Sequence, residues 1–129
     1  MKPEKLWSVI EHYKSELIKL GVVAKQMTPD QYDSRAVDGK TVLLPHCAWM
    51  LDHCLKVFKF EYAEQQQKSQ YHYKHYAEGF SDIKECLEAE FAVLGKAMRW
   101  MAYVQGVLNT TGVYSCNHLR DHSRAAQKE

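Results

Sequence analysis

The chain has 129 residues, 46% of them hydrophobic, and a formal net charge of +1, which suits one domain around one core. So balanced a charge argues against a general duplex-DNA binder, which carries a clear basic excess, and leaves room for a small anionic ligand held by a local group of donors. MKPEKLWSVIEHYK has no uninterrupted apolar stretch of the signal-peptide kind, and no apolar run approaches the roughly 18 residues of a membrane helix, so a cytoplasmic protein without membrane contact is expected.

In chain order, residues 3–20 predict a first helix. Pro3 suits its first turn, and Leu6, Ile10, Tyr13, Leu17 and Leu20 recur at alternating steps of four and three. Gly21 is the stop. Thr28-Pro29-Asp30-Gln31 has the form of a capping box opening a short helix, and Asp38-Gly39 that of a turn. A second long helix is expected from near Pro45 through HCAWMLDHCLKVFKFEYAEQQQ, with Cys47, Leu51, Cys54 and Phe58 as its apolar face. Over QQQKSQYHYKHYAEG it either continues or breaks near Ser69, and Gly79 ends it.

Asp82 and Glu85 form the next capping box. The helix behind them runs to about Thr111, with Ile83, Leu87, Phe91, Leu94, Met98, Met101, Gln105 and Leu108 along one seam, and Gly112 stops it. Ser115 caps a last short helix to about Arg124, Tyr114 and Leu119 have staple spacing, and the tail from about residue 125 frays. The expectation is one all-α domain over residues 1–129, a bundle of three main helices and two short ones. Cys47, Cys54, Cys86 and Cys116 have no CxxC spacing and read as reduced, mostly buried thiols.

Three segments carry a resemblance: His46-x-x-Trp49-Met50-Leu51, then Lys96-Ala97-Met98-Arg99-Trp100-Met101-x-x-Val104-Gln105-Gly106-Val107-Leu108, then Gly112-Val113-Tyr114-Ser115 with Leu119-Arg120-Asp121-His122-x-Arg124. They resemble small helical proteins of tailed phages and prophages that carry an RWLGFVQGVL-type motif before an ELRDHNR-type helix. The likeness covers the last third of the chain and the His-Trp segment. Met101 and Ala102 stand where Leu and Gly are usual, and residues 61–80 read as an insertion. The resemblance implies phage origin and a helical fold, with no established chemistry. Phage accessory proteins of this size often oppose host defences, by binding a host protein or sequestering a nucleotide signal.

The candidate ligand-binding residues are Arg99, Trp100, Tyr103, Gln105 and Asn109 on one helix and His46, Trp49 and His53 on another. Arginine offers a planar donor fork for phosphate and aromatic faces can stack a base. Gln105 interrupts an apolar seam, where an unpaired amide costs on the order of 1–3 kcal/mol. It either fixes register against another helix, with His46 as the expected neighbour, or bonds a ligand. Gly106 beside it suggests close approach of a helix or ligand. YHYKHY at 71–76, with His72 and Tyr76 on one face, is an exposed flank, a subunit contact or a nucleotide contact.

His46 and His53 lie two turns apart, about 10 Å, too far for one metal. His118 and His122 are four apart near a fraying end, and Arg120 and Arg124 suit an anion or acidic partner. No metal site, cofactor or catalytic residue is therefore assigned. GxSxG, a Walker loop and paired-carboxylate signatures are absent. The expected function is non-catalytic binding by a homo-oligomer, anti-defence in role, of a nucleotide ligand. The alternatives are an inhibitor of a host defence protein, a small hydrolase or a virion or assembly factor.

Overall fold

The structure, a computed structural model, describes residues 2–27, 42–74 and 80–127. Among these it is all-α, with no strand. The box at Thr28–Gln31, the Asp38-Gly39 turn and Gly79 lie outside the described residues.

Helix α1 spans Pro3–Lys19, with proline in its first turn. Leu6, Ile10, Tyr13 and Leu17 are buried as their spacing demands. Leu20, expected in that seam, is 55% exposed, because the helix has ended before it. Gly21 adopts φ 79°. That reversal lets Val22 N–H donate to the Leu17 carbonyl at 3.0 Å and Gly21 N–H to that of Ile18 at 3.0 Å, satisfying carbonyls the helix leaves unpaired.

Helix α2, Leu44–His53, passes without a break through a π-helical stretch, Cys54–Phe58, into α3, Lys59–Lys74. Cys54 and Phe58, at the two ends of the π stretch, both stay in the core with Cys47 and Leu51. The run continues through Ser69. Its Oγ lies 2.9 Å from the Gln65 carbonyl and 3.0 Å from Glu90 Oε2, so a polar residue tethers α3 to the following helix.

Helix α4 spans Phe80–Thr110. It is already helical ahead of Asp82, so Asp82 and Glu85 lie inside it and do not open it. Among its described side chains the buried ones are Ala97, Met101, Val104, Val107 and Leu108, and the side chain of Ile83 lies outside the described ones. Further toward its start the expected seam fails: Leu87 is 41% and Phe91 68% exposed. There α4 has α3 as its chief neighbour, and a two-helix hairpin buries one seam only.

Gly112, at φ 80°, repeats the reversal, with Val113 N–H on the Leu108 carbonyl at 2.9 Å. Helix α5, Cys116–Gln127, runs past Arg124 and through the first residues expected to fray. The Ser115 hydroxyl accepts the His118 N–H at 3.2 Å, and Tyr114 and Leu119 both pack against the core.

One core cluster draws on α1, α2, the π stretch, the start of α3 and the second half of α4. All four cysteines are free. Burial pushes the Cys47 and Cys54 thiols up to about 12, which leaves them protonated and inert. The expectation of mostly buried thiols fails at Cys86, half-buried, and Cys116, exposed. Among the described residues no helix is long and apolar enough to cross a membrane.

Candidate functional site

The α2 sequence puts His46, Trp49 and His53 on one face at steps of three and four, and their rings form a column. The His46 ring stacks on Trp49 with centroids 5.6 Å apart and planes 14° apart, and His53 stacks on Trp49 at 5.2 Å and 27°. Helix α4 adds Trp100, stacked on His53 at 5.2 Å and 26°. Phe58, delivered by the π stretch, sets its edge against both His53 and Trp100 at 4.9 Å, and Lys96 Nζ lies 5.2 Å from the Phe58 centroid.

His46 is 4% exposed and fixed at its far side, where Met27 N–H donates to Nδ1 at 2.8 Å. Burial holds its pKa below the ordinary imidazole value. A neutral ring that accepts at Nδ1 carries its proton on Nε2.

Beside the column a groove of about 460 Å³ opens between α2 and α4, lined by Gln26, His46, Trp49, Met50, Arg99, Trp100 and Tyr103. Five of the eight expected site residues meet here. His53 is a second-row member, reaching the groove only through the rings of Trp49 and Trp100. The lining offers a guanidinium, two indoles, a phenol, an imidazole and an amide, all able to donate hydrogen bonds, and no carboxylate among the described residues. Such a wall suits a flat, acceptor-rich anion. Gln26 and Met50 were not anticipated from sequence. Gln26 lies in the stretch after α1, just before Met27, and nothing local in that stretch signals a site.

Gln105 and Asn109 do not line this groove. Gln105 points to α1, where its Nε2 donates to the Tyr13 hydroxyl at 2.9 Å. The expected pairing with His46 gives way because Tyr13, fully buried, presents its hydroxyl at that face of α4. Asn109 Nδ2 donates to the Tyr114 carbonyl at 3.2 Å and closes the turn into α5. Gly106 is exposed and a Cβ there would meet nothing within 4 Å among the described residues, so none of them makes the close approach expected of it. His118 and His122 point toward Tyr114, and among the described residues no group of three His, Cys, Asp or Glu could hold a metal ion. Arg120 is exposed. The side chains of His72 and Arg124, and Tyr76 itself, lie outside the described residues.

A larger cavity, about 740 Å³, lies where the end of α1, the start of α2 and the turn after α4 meet. Leu20, Val22, Val23, Leu44 and Val113 line it with Glu16 and Lys25. It has the volume of a ligand site, but among the described lining residues there is no aromatic ring and only one cationic side chain, Lys25.

Fold and groove together define a class: an all-α protein with a donor-lined aromatic groove. No protein family matches the chain, and none of the curated proteins or solved structures compared with it matches either.

Proposed function

We propose that this is a non-catalytic binding protein of phage origin that holds a nucleotide signal in the α2–α4 groove and thereby opposes a host defence in the host cytoplasm. The observation that carries the ligand class is the groove lining: ring-bearing walls, Arg99 at the rim and no carboxylate among the described lining residues. The phage-protein resemblance supplies the biological setting. The volume suits one mononucleotide-sized unit, within the roughly 300–1,000 Å³ usual for small-ligand sites.

Binding without turnover is favoured over hydrolysis. His46 keeps its proton on the nitrogen left after the Met27 bond, so that tautomer cannot take a proton from water. A thermal-shift and mass-spectrometric screen with cyclic dinucleotides and ADP-ribose derivatives tests the reading. Stabilisation with intact ligand, lost in Arg99→Ala, supports sequestration; altered ligand indicates an enzyme; no response to any of them refutes the nucleotide ligand.

The second reading is an inhibitor of a host defence protein, and one observation favours it. Phe60 is 62% and Phe91 68% exposed on the α3–α4 hairpin, and large apolar side chains left to water can mark a protein contact where they form one patch. The same surface is where a homo-oligomer would form, and a virion or assembly role would use it as well.

A further inference from the structure

At the junction of α1, α4 and α5 lies a cluster that the groove does not use: His12 and Tyr13 from α1, Gln105 from α4, Tyr114 from the turn, and His118 and His122 from α5. Tyr13 is fully buried. Its oxygen accepts from Gln105 Nε2 at 2.9 Å, and its hydroxyl lies 3.1 Å from His122 Nδ1, which accepts the phenol proton when the neutral ring carries its hydrogen on Nε2. His12 Nε2 lies 3.2 Å from the Tyr114 hydroxyl. The His12 and His122 rings meet edge to face with centroids 5.2 Å apart, and Tyr114 stands edge-on to His122 at 5.0 Å.

We infer that this cluster is a proton-operated latch: α5 is docked on α1 while His122 is neutral and is released when His122 takes up a proton. The reason is bond direction. Protonation turns Nδ1 from an acceptor into a donor. The phenol then faces two donors, Gln105 and His122, and its own proton has no acceptor in a buried place. The new charge also sits against His12.

The groups facing His122 agree. Burial lowers its pKa first, then His12 from α1 and His118 from its own helix, while Asp121 opposes them. Tyr13 and Tyr114 are both held above the ordinary phenol value, chiefly by burial, so neither supplies a countercharge near neutrality. Glu16 of α1 acts on Tyr114. Gln105 of α4 is uncharged.

The sign follows. Docked His122 binds protons more weakly than undocked His122, whose ordinary value is about 6.5. Docking is at full strength above that value and weakens as pH falls below it. One proton taken up on release makes the opening equilibrium rise by at most about tenfold per pH unit.

The test is amide hydrogen exchange of the whole chain, read as protection factors from about pH 7.5 to about pH 5.5 around the ordinary histidine range. Protection of the α5 amides is expected to fall by up to about tenfold per unit ahead of any loss in α2. His122→Gln, which retains an acceptor but does not titrate, is expected to abolish that dependence, and His12→Gln to reduce it. Constant α5 protection in the parent chain overturns the latch, as does loss in parallel with α2. So does an undiminished pH response in a folded His122→Gln protein. If His122→Gln leaves α5 undocked at every pH, His12→Gln decides: removing the imidazole that lowers the proton affinity of docked His122 must shrink the total fall in α5 protection over that pH range, and an undiminished fall refutes the idea.

Discussion

A buried phenol needs two partners, and Tyr13 finds one on α4 and one on α5. Gln105 stands in an apolar seam for that reason. Gln105→Leu removes the donor and leaves the Tyr13 oxygen short of a bond, so chemical denaturation should show a loss of about 1–3 kcal/mol. Ligand binding by the folded variant should survive, because Gln105 faces away from the groove. Arg99 is the converse. It is exposed at the groove rim, so Arg99→Ala should leave the melting temperature nearly unchanged and weaken titrated nucleotide binding by about tenfold or more, the worth of a charge-assisted hydrogen bond.

Two glycines, one inside α4 and one in the turn just after it, make opposite predictions. Gly106 lies inside α4 with open space where a Cβ would go, so Gly106→Ala should raise stability by about 1 kcal/mol. If it abolishes binding in the folded protein, the position meets a partner. Gly112 also has open space but holds φ +80°. Gly112→Ala should therefore cost about 1 kcal/mol or more through backbone strain alone, and paired melts of the two variants would show the contrast. These elements also show what was legible in the sequence. The α1 seam from Leu6 to Leu17 and the stops at Gly21 and Gly112 are local patterns, and they read correctly; Leu20 fell outside the seam because the helix ends before it. The start of the α4 seam misled, since spacing marks which face is apolar and not whether anything covers it; Leu87 and Phe91 have the right spacing and no core opposite them. The groove was half legible, because stacking of residues three and four apart on α2 is local, whereas Gln26 joins from another segment. The Tyr13 bonds join residues 92 and 109 positions apart, a separation no local pattern reveals.

For the molecule as a whole, two consequences can be measured. His46 is buried with its pKa held down by burial, so the folded chain binds fewer protons there than the unfolded one. Stability should be intact above about pH 6.5 and fall below it, until the folded-state value is passed, by at most about 1.4 kcal/mol per pH unit for this group. His46→Asn should flatten that slope in urea titrations. The exposed Phe60 and Phe91 make the second case. Sedimentation at micromolar concentration should show a species larger than the monomer, and Phe91→Glu should reduce it toward the monomer; a parent chain that sediments as a strict monomer removes self-association through this hairpin.

The bonds at Tyr13 also bear on the order of assembly. Helices α3 and α4 are neighbours along the chain and can zip together early, whereas the Tyr13 bonds close loops of about a hundred residues, which pay their entropy before any contact rewards it. Those bonds should be absent from the transition state for folding. In stopped-flow experiments Tyr13→Phe should leave the refolding rate nearly unchanged and speed unfolding, a φ-value near zero. The hydroxyl thus governs how long the native state lasts once formed, and has little influence on how quickly it is reached.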